Sequence, residues 1–205
     1  QSLNCRFYQL FFVLCRFLIP RCKWHIQDQV RAISSAVIVC NHISYLDSIL
    51  LISLYKKHST IVKNRLFKIP LFGTVLKFSG YLPADSGQGF SDLMVAQMER
   101  LYECLAAGGN LIVFPEGTRS RNGTIGKIHP GAFKIARITN APVKVMAVEN
   151  TDLLFTPGKF RFNTCYDNEI TLKLMDEFRV GNTRDQVLNA ILKARAVFER
   201  SNLKS

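Results

Sequence analysis

The sequence predicts an α/β domain with a mixed, mostly covered sheet, flanking helices and an amphipathic N-terminal helix. Short runs of apolar and β-branched residues recur at 36–40, 111–114 and 142–148, each too short for a helix and too apolar for a one-sided strand. Between them lie stretches whose apolar residues repeat at helical spacing, so strands alternate with helices. The chain of 205 residues, 48% hydrophobic and 20% charged, can bury a core without staples and shows no repeat or low-complexity linker.

The first element is a helix over residues 3–19, with Leu3, Phe7, Leu10, Leu14 and Phe17 on one face. Arg6, Gln9 and Arg16 interrupt the apolar run, which falls short of the roughly 20 residues a spanning helix needs. Pro20 closes it, and the basic-aromatic string Arg21 to His25 follows. An apolar face flanked by Arg, Lys and Trp fits a helix lying in a membrane interface, with Trp24 as an anchor. The same pattern also fits a helix packed on the core. Arg16 and the lack of a small-residue cleavage site argue against a signal peptide.

The run at 36–40 is a buried strand, and 47–55 is a helix. Residues 90–107 form a helix with Phe90, Leu93, Met94, Met98, Leu101 and Leu105 in one stripe, stopped at Gly108-Gly109. Residues 111–114 are a second buried strand ended by Pro115, 131–139 a short helix, and 142–148 a third strand. Alternation at 160–166 and 169–175 predicts two half-buried strands joined by a turn at Asp167-Asn168, and Thr156-Pro157-Gly158 reads as another turn. A last helix runs from 184 to about 200, opened by a capping box of Thr183 and Gln186.

Lys and Arg number 27 against 15 Asp and Glu, so the surface attracts polyanions. Nucleic acid is not the expected partner, because no RNP motif, zinc-finger spacing or basic zipper is present. The six cysteines form no C-x-x-C pair, and the four histidines complete no ligand set; neither a structural metal nor a disulfide framework is expected. Free thiols in apolar runs suit a reducing compartment, which points to the cytoplasmic face.

In covered sheets chemistry sits on loops leaving strand C-termini. The loop after Cys40 reads Asn41-His42-Ile43-Ser44-Tyr45-Leu46-Asp47. On an ideal helix His42 and Asp47 would stand about 140° apart. They meet only if His42 precedes the first turn and Asp47 lies inside the helix. An Asp-oriented imidazole is a general base with a fixed tautomer, although a His near an Asp also serves as a structural pair. After residue 114 the chain reads Pro115-Glu116-Gly117-Thr118-Arg119-Ser120-Arg121. Gly117 permits positive φ, and Arg119 offers a planar fork suited to phosphate; an ordinary solvated turn has the same composition.

Together these two loops resemble the N-H-x-x-x-x-D and F-P-E-G-T-R-S motifs of the lysophosphatidic-acid (glycerolipid) acyltransferases. Lys63 to Gly73, the basic stretch Gly126 to Lys134 and Ala141-Pro142-Val143 resemble further blocks of that family, so the likeness covers about residues 30–150. It implies an acyltransferase-like fold, with an interfacial segment at 1–25 and the catalytic domain at 26–205. It also implies acyl transfer from acyl-CoA or acyl carrier protein to the sn-2 hydroxyl of lysophosphatidic acid in a membrane, without metal or bound cofactor. On this reading His42 deprotonates the hydroxyl and Asp47 orients His42. Glu116, Gly117, Thr118, Arg119 and Lys63 hold the acceptor. The absence of a G-x-S-x-G elbow agrees with direct attack.

One position departs from the family. Ser86 stands where a phosphate-gripping arginine is expected; losing such a contact costs about 1.5–3 kcal/mol. Arg119, Arg121, Lys63 or Lys68 can compensate. Otherwise the acceptor is a lipid alcohol without a terminal phosphate, such as a lyso-amino-acid lipid or a headgroup-bearing lysophospholipid. Lys56, Lys57, His58, Arg65 and Lys68 read as solvated or membrane-facing charge, and His129 as a surface residue.

Overall fold

A computed structural model describes residues 2–84, 92–119, 125–156 and 161–202. The elements are α1 (Ser2–Leu18), β1 (Cys22–Ile26), α2 (Asp28–Arg31), β2 (Val37–Cys40), α3 (Tyr45–Leu54), β3 (His58–Lys63), α4 (Asn64–Phe67), α5 (Phe72–Phe78) and β4 (Leu82–Ala84). They continue with α6 (Asp92–Ala106), β5 (Asn110–Val113), α7 (Gly131–Thr139), β6 (Val143–Glu149), α8 (Thr151–Leu154), β7 (Asn168–Phe178) and α9 (Arg184–Asn202).

The strands form one sheet in the order β1-β7-β6-β2-β5-β3-β4. β6, β2, β5, β3 and β4 are mutually parallel, whereas β7 runs antiparallel to β6 and carries β1 parallel to itself. The sheet is therefore mixed, as expected. Alternation along β2, β5 and β6 sorts side chains into two cores. Val37, Val39, Leu111, Val113, Val143 and Val145 face Leu101 and Leu105 of α6, Phe133 of α7 and Phe198 of α9. Ile38, Cys40, Ile112, Met146 and Val148 face Phe12 of α1, Val30 of α2 and Leu50 and Leu51 of α3. All four residues of β2 and of β5 are buried, because helices cover both faces of the sheet.

α1 lies along α3, with Gln9 Nε2 donating to the Ser53 carbonyl at 2.9 Å. Cys5, Phe12 and Cys15 turn inward, while Leu3, Phe7, Leu10, Leu14 and Phe17 form the exposed stripe. Trp24 packs inward edge-to-face on Phe12, with ring centroids 5.1 Å apart, rather than standing out at an interface. The expected boundary between 25 and 26 falls inside β1.

The expected hairpin does not form. Residues 161–167 are irregular, Phe160 lies outside the described residues, and β7 finds its partners in β6 and β1. The edge a strand at 160–166 would need is occupied by β1, held by Asn168 N donating to the Arg21 carbonyl at 3.0 Å. Pro157 and Gly158 of the expected turn also fall outside the described residues. The capping box of α9 is present: Thr183 N donates to Gln186 Oε1 at 3.0 Å, and Gln186 N to Thr183 Oγ1 at 3.2 Å.

His58, read from sequence as surface charge, is buried on β3. Its Nδ1 lies 2.8 Å from the Tyr55 carbonyl, and its Nε2 lies 3.0 Å from the Tyr81 hydroxyl. The carbonyl only accepts, so Nδ1 carries the proton and Nε2 accepts from Tyr81. Burial lowers the His58 pKa below its ordinary 6.5, against a smaller opposing effect of the Tyr55 carbonyl. The folded state favours neutral His58, so this stability is present above the ordinary value and lost as pH falls below it. The thermal midpoint is expected to drop between about pH 7.5 and pH 5, with a shallower slope in His58→Gln; identical slopes would contradict this.

Candidate active site

β2 ends at Cys40, and the next residue anchors the loop that carries His42. Asn41 donates Nδ2 to the Val148 carbonyl at 2.9 Å and accepts from Val148 N at 2.8 Å. This paired bond extends the β2–β6 ladder through a side chain and fixes where the chain leaves the sheet. His42 follows, its ring stacked on Phe114 with centroids 4.2 Å apart. Phe114 is the first residue after β5, so neighbouring strands supply the histidine and the surface that holds its ring.

α3 begins at Tyr45, with Ser44 as N-cap and Asp47 as the third residue of a capping box. Asp47 is thus inside the first turn and His42 before it, as the five-residue spacing demanded. Asp47 Oδ2 lies 3.0 Å from His42 Nδ1 and accepts from Ile43 N at 2.7 Å and Ser44 N at 2.8 Å. Its Oδ1 accepts from the Thr151 hydroxyl. The Asp47 side chain is fully buried and that of His42 is 15% exposed, so the imidazole is the part of the pair that reaches solvent. A carboxylate only accepts, which assigns the proton to Nδ1 and leaves the Nε2 lone pair free to take one.

The second loop turns sharply after Phe114. Gly117 N donates to the Phe114 carbonyl at 3.0 Å, and Gly117 has φ +63, the left-handed conformation that only glycine adopts without strain. Glu116 turns inward: it is buried, and its Oε2 accepts from Gly126 N at 2.9 Å. The carboxylate thereby closes the base of the loop. Thr118 is exposed, and His129 lies at the surface beside Gly117, its N–H bonded to the Pro115 carbonyl at 2.8 Å.

Arg119 folds back over α3. Its guanidinium carbon sits 3.5 Å from the centroid of the Tyr45 ring, and its buried Nη1 has no hydrogen-bond partner among the described residues. An unmatched buried guanidinium N–H favours an anionic oxygen brought from outside. Lys63 stands exposed at the end of β3. The sheet therefore gathers His42, the 115–119 loop and Lys63 at the C-terminal ends of three consecutive parallel strands, β2, β5 and β3. Ser86 and Arg121 lie outside the described residues.

A family profile described as Acyltransferase matches residues 21–149, which include both loops and every strand of the parallel half of the sheet. The chain belongs to the acyltransferase family. Among curated relatives, the chloroplastic 1-acyl-sn-glycerol-3-phosphate acyltransferase LPAT1 of Arabidopsis thaliana is 35% identical over 123 residues, 60% of this chain and 34% of that protein. A 1-acyl-sn-glycerol-3-phosphate acyltransferase of Pseudomonas aeruginosa is 30% identical over 141 residues, 65% of this chain and 54% of its own length. This acyltransferase-family chain therefore matches about a third of the plant relative. The crystal structure of the 1-acyl-sn-glycerophosphate acyltransferase PlsC from Thermotoga maritima superposes with a TM-score of 0.70. That superposition covers 98% of this chain and 79% of that one at 19% identity, a likeness of fold.

Three members of this candidate site were not singled out from sequence: Asn41, Tyr45 and Thr151. The first two sit inside the histidine motif, and their side-chain roles appear only with the backbone in place. Thr151 is 104 residues from Asp47 and arrives through the pairing of β6 with β2. Its position just after a third parallel strand is the one available signal, since loops at that edge carry the site. Thr151→Val leaves Asp47 Oδ1 unsatisfied, a loss of about 1.5–3 kcal/mol for a hydrogen bond to a charge. Turnover is expected to fall about tenfold with KM unchanged, and Thr151→Ser to restore it. Equal turnover in steady-state assays of Thr151→Val and wild type would remove Thr151 from this role.

Proposed function

We propose that the protein transfers a fatty acyl group from an acyl thioester to the sn-2 hydroxyl of lysophosphatidic acid at a membrane surface. The observation that carries this reading is the His42–Asp47 pair, on the same sheet edge as Arg119, whose buried Nη1 has no hydrogen-bond partner among the described residues. The Arabidopsis and Pseudomonas relatives named as 1-acyl-sn-glycerol-3-phosphate acyltransferases support the choice of substrate.

His42 Nε2 takes the proton of the acceptor hydroxyl as its oxygen attacks the thioester carbonyl. Asp47, held by three further donors, stabilises the imidazolium that forms, without taking up the proton itself. Collapse of the tetrahedral intermediate breaks the C–S bond, and the proton on His42 passes to the departing thiolate. The products are the ester and the free thiol. Arg119 meets the acceptor phosphate from its seat on Tyr45, with Lys63 as a second cation at the same edge. Glu116 and Gly117 act by shaping the loop that presents Arg119.

Direct attack is supported by the state of Cys40, the thiol nearest His42 in sequence. Burial and the Asp47 carboxylate raise its pKa well above the ordinary value, which keeps it a protonated, enclosed thiol. The donor is acyl-CoA or acyl carrier protein; both are acidic, and the net charge of +12 suits either. Among the described residues no helix is long and apolar enough to cross a membrane. The exposed apolar stripe of α1, with Arg6 and Arg16 beside it, is instead read as lying in the interface of the cytoplasmic leaflet.

Ser86 supports one other acceptor, a lipid alcohol without a terminal phosphate. Transfer from long-chain acyl-CoA to a panel of lyso-lipids, with wild type and His42→Ala side by side, separates the two. Preference for lysophosphatidic acid with an inactive His42→Ala is the expected result. Preference for a headgroup-bearing lysophospholipid would move the acceptor to the second reading. Equal turnover by His42→Ala would overturn the mechanism for both.

A further inference from the structure

α5 and the residue before it present apolar side chains to solvent, with no partner among the described residues to explain them. Leu71 is 85% exposed and Phe78 88%, with Val75 also exposed between them. Leu71 holds φ +63, a conformation that costs a leucine free energy and that persists where the surroundings or a function require it. An outward leucine gains nothing in return while it faces water. Beside them on the same segment stand Arg65, Lys68 and Lys77.

The charge around this segment identifies its occupant. Residues 1–84 contain eleven Lys and Arg but only two acids, Asp28 and Asp47, and Asp47 is buried. Between 48 and 84 there is no acidic residue at all. Apolar side chains amid cations that make no ion pair among the described residues match an anionic bilayer, where hydrocarbon and phosphate lie within one side chain of each other. A second copy of this chain would set like charge against like.

Position agrees with this partner. α4 and α5 follow directly from the C-terminal end of β3, the sheet edge that also carries the His42 and Arg119 loops. At its other end α5 is tied to α1, with Asn4 Nδ2 donating to Ser79 Oγ at 2.7 Å. We propose that α5 is a second bilayer-contact element. Leu71, Val75 and Phe78 enter the boundary between headgroups and acyl chains of an anionic leaflet, and Arg65, Lys68 and Lys77 bind headgroup phosphates. With α1 as the first contact, two attachments fix the tilt of the domain and hold the reactive edge at the depth of a lyso-lipid headgroup. This rests on the membrane-surface reading above.

The test is flotation of the full chain with vesicles of phosphatidylcholine and phosphatidylglycerol, comparing wild type, Leu71→Ser/Phe78→Ser and the α1 variant Leu10→Ser/Phe17→Ser. Thermal midpoint and turnover on detergent-dispersed lysophosphatidic acid monitor folding and the site. The α5 variant is expected to partition at least about tenfold more weakly, since each side chain buries a full apolar surface. Its turnover on vesicle-borne substrate falls with it, and its detergent turnover and midpoint stay unchanged. If the α5 variant floats like wild type while the α1 variant does not, α5 is no contact element and the membrane reading survives. Wild type that does not float at all overturns both. Wild type that is dimeric without lipid, and monomeric as the α5 variant, would make this face a contact between copies and sink the proposal.

Discussion

A buried carboxylate has to be matched by donors before it can be put to use, and the loop after β2 is organised around that requirement at Asp47. Left unpaired, such a charge costs several kcal/mol. Here the backbone N–H groups of Ile43 and Ser44, the Thr151 hydroxyl and His42 Nδ1 all converge on it. The same bonds do three jobs. They cap α3 at its first turn, they join the end of β2 to the start of α8, and they set the tautomer and direction of the imidazole. Stability and side-chain placement are not separable at this point, because the groups that allow the carboxylate to be buried are bound together with the imidazole it orients.

The rest of the site follows from the sheet. β6, β2, β5 and β3 are adjacent and parallel, so four consecutive strand ends deliver their loops to one edge. β6 delivers Thr151, β2 delivers Asn41 and His42, β5 delivers Phe114 and Arg119, and β3 delivers Lys63 and the segment leading to α5. None of these residues is made useful by its neighbours in sequence alone. The stacking of His42 on Phe114 and of Arg119 on Tyr45 interlocks the β2 and β5 loops. The His42 imidazole and the Arg119 guanidinium are therefore held in one interlocked pair of loops, and both core layers behind it are closed by helices on either face.

What could be read without coordinates was whatever depends on local pattern. The runs at 36–40, 111–114 and 142–148 identified β2, β5 and β6 because a strand buried on both faces has no polar alternation to confuse it. The five-residue gap between His42 and Asp47 forced the loop-then-helix geometry, and Gly117 reported its positive φ. Pattern failed where pairing decides. Residues 160–166 alternate as well as many strands do, but β1 had already taken the edge beside β7, and alternation says nothing about which partner is free. β1 itself was hidden because Lys23 and His25 interrupt it, as suits an edge strand with one wet face. Thr151 and the inward turn of Glu116 depend on contacts to residues far along the chain, or across a loop, that no window contains.

The proposed acyl transfer requires Asp47 to act through His42, and Asp47→Asn tests this most directly, because the amide keeps shape and volume while losing charge and one acceptor. Steady-state acyl transfer by this variant, read beside its thermal midpoint, is predicted to show turnover reduced about 10³- to 10⁴-fold in a protein that still folds cooperatively. A folded Asp47→Asn variant that keeps more than about a tenth of wild-type turnover would contradict the mechanism. The four-donor cluster would then be a device of folding alone.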